Sequence, residues 1–147
     1  MSSNERLIPN SQPTGLNTVV IKVEGTELPQ ELRIMSVDIV RVFNKIASAR
    51  IEFHDGDAAK QDFLNSNRAE FAPGKAIQIE AGYSSDNLVI FKGIITTHAI
   101  KVKSSRGSSL VIEAADKAIK LTAARKNAYH YNVKDSEITE QLAGDAG

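Results

Sequence analysis

The residues able to do chemistry are few, and their spacing is the first thing to weigh. His54, Asp55, Gly56 and Asp57 stand in a row as "HDGD", four positions that combine imidazole and carboxylate ligands. A calcium loop needs oxygen ligands at alternate positions over about twelve residues, closed by a bidentate Glu. Ala58, Ala59 and Phe63 supply none of these. The pattern therefore reads as a strand-end turn, with Asp57 as the N-cap of a short helix carrying Ala58, Gln61, Phe63 and Leu64. His54, His98 and His130 are the only histidines. They are far apart and lack the i,i+4 spacing that puts two imidazoles on one helix face, so no metal is expected. The serines of "SSRGSS" (104–109) belong to a polar hairpin tip, with no base tied to them. Gly74-Lys75 leads into a strand rather than a helix, which excludes a phosphate loop. No catalytic constellation emerges, no cofactor is expected, and the chain does not read as an enzyme.

Composition narrows the classes further. Eighteen basic residues balance eighteen acidic ones over 147 residues, without the basic excess of a nucleic-acid module, and no nucleic-acid partner is expected. With no cysteine, disulfide frameworks, thiolate zinc sites and cysteine nucleophiles are excluded. Only eight aromatics are present and none is Trp, so the core must be built mainly from Ile, Val, Leu and Ala. The opening "MSSNERLIPNSQPTGL" is polar, unlike a secretory signal, and no run approaches the roughly 20 apolar residues of a membrane helix. The expectation is synthesis in the cytoplasm without a cleaved signal.

The elements that would position any site are strands. After a flexible arm (1–16), "NTVVIKVEG" alternates with Val19, Ile21 and Val23 on one face. "ELRIMSVDIVRVF" switches parity between Leu32/Ile34 and Val37/Ile39, which places a bulge near Met35 and Ser36. "IASARIEFHD" sets Ala47, Ala49, Ile51 and Phe53 against Ser48, Arg50, Glu52 and His54. Short connections make these three strands an expected antiparallel meander.

The stretch 71–100, "FAPGKAIQIEAGYSSDNLVIFKGIITTHAI", reads as two long strands after a Pro-Gly turn, with Gly93 inside the second. Ile77, Ile79, Ala81 and Tyr83 share a face in the first. In the second, Val89, Phe91, Gly93, Ile95, Thr97 and Ala99 oppose Ile90, Ile94, His98, Ile100 and Val102. A glycine in a strand interior marks a bend or a bulge. "SLVIEAAD" is the returning strand, Asp116 caps a short helix, "NAYHYNV" reads as one more strand, and "KDSEITEQLAGDAG" opens a helix capped by Asp135 or Ser136. The sum is a mainly β fold, an antiparallel β-barrel with short helical insertions. It spans 17–133, and 134–147 begins a following element of a longer protein.

Basic residues cluster along one hairpin, Lys92, Lys101, Lys103 and Arg106, with Lys117, Lys120, Arg125 and Lys126 following. It can be a polyanion-binding or partner-docking face, or a solvated, charged strand edge that blocks unwanted sheet extension. The order "FAPGKAIQIEAGY", "VIFKGIIT", "LVIEAADKAIKLT", preceded by "GTELPQELRIMSVDI", resembles the amino-terminal hub region of VgrG spike proteins and contractile phage tail hubs over about residues 17–142. That resemblance implies a structural part of a contractile injection machine (type VI secretion or phage-tail-like), joining the tail tube to a membrane-piercing spike. It implies a phage-tail-hub-like barrel and a homotrimeric full-length protein. The implied neighbours are a hexameric tail tube protein, baseplate subunits, and a PAAR tip or effector borne by a later region. The implied destination is outside the producing bacterium. Carried onto this sequence, the motif makes Phe71, Pro73 and Gly74 the start of a barrel strand, with Gly82 and Tyr83 at its end. Phe91 and Gly93 fall in its bent partner, and Asp116 caps the helix that follows. The alternative from a different class is a stand-alone β-barrel module binding carbohydrate or oligonucleotide. It would need aromatic platforms, and Phe43, Phe53, Phe63 and Phe71 fall mostly on core positions.

Overall fold

In the computed structural model, residues 17–29, 31–56, 62–83, 86–103, 107–122 and 127–146 are described. Their strands are β1 (Asn17–Val23), β2 (Thr26–Glu27), β3 (Ile34–Val40), β4 (Ser48–Asp55), β5 (Ala76–Tyr83), β6 (Asp86–Lys103) and β7 (Gly107–Ala115). Short 3-10 turns cover Ala69–Phe71 and Lys117–Thr122, and helix α1 runs Asp135–Ala146. All the strands join one antiparallel sheet in the order β2-β1-β5-β6-β7-β4-β3.

The expected antiparallel, mainly β fold is therefore the one adopted, but the sheet is not closed into a barrel. β1 and β3 do not pair; β1 lies along β5, while β3 and β4 form a hairpin at the other end of the sheet. The three-strand meander is thus replaced by a crossing between the two ends. After the two-residue β2, the chain binds Leu28 N–H to the Ile21 carbonyl at 2.9 Å. It then reaches the far end, where the Arg33 carbonyl accepts from His54 N–H at 2.8 Å. Leu28 and Leu32, both buried, line the groove left between the two ends of the sheet.

The sheet is nonetheless strongly curled. In a flat sheet β1 and β4 would stand four strand spacings apart, about 19 Å. Yet Ile21 and Leu28 share one groove with Ile34 and Phe53. One core joins both ends: Ile21, Val23, Leu28, Leu32, Ala49, Ile51, Phe53, Phe71, Ile77, Ile79, Phe91, Ile95, Leu110 and Ile112. The Arg41 guanidinium, just past β3, donates to the Ile90 carbonyl of β6 across that curl.

β6 makes the curl possible. Residues 86–94 pair with β5 and 94–103 pair with β7, so Ile94 faces both Ala76 and Ala115. Two bulges flank this exchange. Ile90 is extra between the Glu80↔Val89 and Ile79↔Phe91 pairs, and Thr96 is extra between Ile95↔Ala114 and Thr97↔Glu113. Each bulge flips the alternation. Val89 pairs with outward Glu80 instead of sharing the face of Phe91, and His98, Ile100 and Val102 share the face of Phe91 and Ile95 instead of opposing it. The parity switch expected near Met35 and Ser36 is present as a register shift between Ile34 and Ser36. It turns Val37 and Ile39 onto the core.

Two further expectations change. Residues 127–133 form no strand; Tyr129 and Tyr131 stand exposed in coil. Of the phenylalanines, Phe53 and Phe71 are buried and Phe63 is half-buried, but Phe43 sits exposed at the β3–β4 turn. The expected helix after Asp57 falls largely on 57–61, outside the described residues, and 64–67 form a turn. Helix α1 begins with Asp135 itself, whose position in the first turn suits the positive end of the helix dipole.

Gly93 has a steric basis. A Cβ there would meet the Ala115 carbonyl oxygen at 2.3 Å and Phe91 Cε1 at 2.8 Å, distances no neighbour can absorb without backbone movement. Gly93→Ala is expected to cost about 1–3 kcal/mol of stability in urea unfolding, the range of overpacking in a close-packed core. Gly144→Ala, in α1 with nothing within 4 Å of the added carbon, should be neutral or stabilising by up to about 1 kcal/mol. Equal stability of both variants would remove the close-approach argument.

Candidate functional site

Six of the eight motif residues gather at one end of the sheet, around the bend of β6. Phe71 is fully buried, its ring 5.3 Å from that of Phe53 at 44°. Pro73 and Gly74 make the turn into β5, with Gly74 at φ +95°, a left-handed conformation that favours glycine. Gly74 N–H donates to the Ile95 carbonyl at 2.8 Å and Ile95 N–H to the Lys75 carbonyl at 2.9 Å, fastening this turn to the bend. Phe91 and Gly93 are buried beside it. Asp116 binds the other side: its N–H donates to the Ala47 carbonyl at 2.9 Å, and its Oδ1 accepts from Ala118 N–H at 3.0 Å, capping a 3-10 turn rather than an α-helix. Gly82 and Tyr83 lie at the opposite end of β5. Gly82 is pressed against the Asp86 backbone of the hairpin, and Tyr83 is exposed. The motif residues position backbone; they do not converge on a common reacting point.

The most developed polar site is one the motif does not contain. Asp55, 2% exposed at the end of β4, accepts hydrogen bonds from Gly56 N–H (2.9 Å), Asn65 N–H (3.0 Å), Ser66 N–H (2.9 Å) and the Ser66 hydroxyl. Asn65 Nδ2 adds a bond to the His54 carbonyl at 3.0 Å. The carboxylate thereby holds the 62–67 turn that delivers Phe71 to the core. Burial pushes its pKa up, but the Ser66 hydroxyl and the three backbone donors outweigh it and set the carboxyl below its ordinary value. The sequence held a signal for this: Asp55 continues the inward parity of Ala49, Ile51 and Phe53, so a carboxylate was due to face the core.

A second polar group lies on the outer face, where Lys22, Gln78 and Lys92 form a cross-strand row. Lys22 Nζ and Gln78 Nε2 each donate to Glu80 Oε1 at 2.6 Å. Those bonds, Lys22's first, lower the Glu80 pKa against a smaller opposing effect of burial. The remaining basic residues disperse. Lys101 and Lys120 are exposed, while Arg106, Arg125 and Lys126 lie outside the described residues. His54 and His130 are exposed, and His98 Nε2 is buried with no hydrogen-bond partner among the described residues. Among those residues no group of three His, Asp or Glu side chains could hold a metal ion, and no helix is long and apolar enough to cross a membrane.

This curled sheet with a bent long strand can be set beside known proteins. A sequence model of the family described as Alg8 N-terminal domain matches residues 13–147. The chain belongs to that family. No protein with a curated description matches it. Among solved structures it is similar to the 43 kDa tail protein of prophage MuSo2 from Shewanella oneidensis, at 14% identity and a TM-score of 0.59, over 87% of this chain and 38% of that one. It is also similar to the tail protein from Neisseria meningitidis MC58, at 20% identity and a TM-score of 0.57, over 88% of this chain and 34% of that one. The fold of this member of the family is thus one found in phage tail proteins, and the chain spans little more than a third of either tail protein.

The Asp55 clamp yields a pH dependence of definite sign. The folded pKa lies below the unfolded one, so the folded state binds fewer protons and the stabilisation is whole above the ordinary Asp value of 3.8. It is lost as pH falls through the lower, folded value. The urea midpoint should therefore owe no change to this group between about pH 7 and 5, and should drop in acid below its ordinary range. Asp55→Asn, which turns an amide toward the donors, should cost about 2 kcal/mol at neutral pH and flatten the acid limb. An acid limb of unchanged steepness in Asp55→Asn would refute the clamp as its source.

Proposed function

We propose that this chain is the front part of a structural, non-catalytic hub component of a contractile injection machine, joining a tail tube to a membrane-piercing spike. The observation that carries this reading is the shared fold, which pairs 87% and 88% of the chain with two tail proteins. In this proposal the full-length product is a homotrimer that meets a hexameric tube protein and baseplate subunits, as in the VgrG and phage hub proteins it resembles. A later region would carry a PAAR tip or effector.

The surface supports an assembled part. β3 is an edge strand with Met35, Val40, Val42 and Phe43 exposed around it. A free apolar edge of that kind invites pairing with another chain unless it is covered. The far end of the β6–β7 hairpin turns Ile100 and Val102 toward the core side, yet leaves them 46% and 73% exposed. The binding-module alternative gains exposed aromatics in Phe43, Tyr83, Tyr129 and Tyr131. None of them lies on the lysine-bearing hairpin that it would employ.

Light scattering of the full gene product tests the proposal: a mass of three chains is expected at micromolar concentration. A strict monomer at high concentration would overturn the hub reading.

A further inference from the structure

On the outer side of the bend is a cleft of about 200 Å³ lined by Lys22, Gly25, Ala76, Gln78, Lys92 and Lys117, with Gly93 at its wall. Three lysines line this one small cleft, in a chain whose total formal charge is zero. They arrive from three separate elements: β1, β6 and the 3-10 turn after β7.

Of the carboxylates nearby, Glu80 and Glu24 are already engaged, and Glu27 stands opposite Lys22 in the β1–β2 register. Glu80 takes Lys22 Nζ and Gln78 Nε2 on one oxygen, and Glu24 Oε1 accepts from Ala76 N–H at 2.6 Å. Lys92 adds to the field at Glu80 without an ion pair to it, and neither Lys92 nor Lys117 has an ion-pair partner among the described residues. Counting Lys22, Lys92, Lys117, Glu24, Glu27 and Glu80 leaves no net charge, but the two lysines without an ion-pair partner among the described residues, Lys92 and Lys117, line the same space. Ligand pockets for drug-sized molecules run from about 300 Å³ upward. A smaller, lysine-lined cleft suits a compact anion instead.

We infer that this cleft is a binding site for a small oxyanion, a phosphate or carboxylate group held by Lys92 and Lys117. Lys22 and Gln78 form the polar wall and Glu80 keeps Lys22 in place. Lysine acts here as a compact point charge, so the site selects for charge and size rather than for bidentate geometry. A group bound there would bridge β6 to the turn that follows β7, across the contact between Gly93 and Ala115.

The test is an amide NMR titration of the folded chain with inorganic phosphate, and separately with succinate, at constant ionic strength. Saturable shifts centred on the Gly25, Ala76 and Gly93 amides are expected with at least one of them. The stronger ligand then tells a tetrahedral phosphate from a carboxylate source. The Lys92→Gln/Lys117→Gln double variant should weaken the fitted affinity at least tenfold, while Lys101→Gln, at the exposed far end of β6, should leave it unchanged. The spectrum of each variant reports directly whether it is folded. Shifts that stay diffuse and linear with both anions, or that are equally strong in the double variant, would overturn the site.

Discussion

At Ile94 one strand serves two partners, pairing with Ala76 of β5 and Ala115 of β7 at the same point. For β5 and β7 to meet β6 there, the end of β7 must come against the backbone of residue 93, where an added Cβ would lie 2.3 Å from the Ala115 carbonyl oxygen. That approach is the constraint from which the architecture follows. It places the start of β5 and the end of β7 side by side. The Gly74 turn, bonded to Ile95, and the Asp116 cap, bonded to Ala47, then secure the two chain segments that leave the bend. The bulges at Ile90 and Thr96 stand three residues to either side of Gly93. Each adds local coiling, and together they let an 18-residue strand wrap the core instead of running past it.

The curl explains why a sheet that lacks a closing pair can still bury a core. Ile21 and Val23 at one end and Phe53 and Ile51 at the other join a single cluster. The ends are joined by side chains, Leu28 and Leu32 among them, rather than by a strand pair, and a groove of about 490 Å³ remains between them. Side-chain closure is less demanding than strand closure, because it needs no register between the edges. It also leaves the β3 edge unpaired among the described residues, with Met35, Val40 and Val42 exposed.

How much of this could be read from the residues depended on whether one face was clearly apolar. β3 announced its bulge because Leu32 and Ile34 and then Val37 and Ile39 fall on opposite parities with polar residues between. β6 hid its bulges because Ile90, Ile94, Ile95 and Ile100 make both parities apolar, so alternation alone could not say where the register slips. The partner of β1 was misread for another reason. Period-two alternation reports a half-buried strand but not its neighbour, and the link from Gly25 to Arg33 is long enough to cross the curl. "NAYHYNV" failed as a strand although its aromatics suit one. β-propensity measures packing on a pleated surface, and Tyr129 is 97% exposed.

Asp55 shows what remained hidden in plain sight. A carboxylate on the inward parity of an otherwise apolar strand is costly to bury unless donors meet it. Here the donors come from residues 56, 65 and 66, which no alternation or cap rule ties to position 55. The clamp and the bend act on the same core from opposite ends of β4 and β7. Asp55 pairs with Ser108 at one end and Ser48 with Ala115 at the other. Asp55 fixes the turn that inserts Phe71 against Phe53, while Gly93 admits the end of β7. Between these two fixed points lies the buried row Ile51, Phe53, Leu110 and Ile112, each no more than 0% exposed. A sheet held in this way at both ends keeps its curl through its own core.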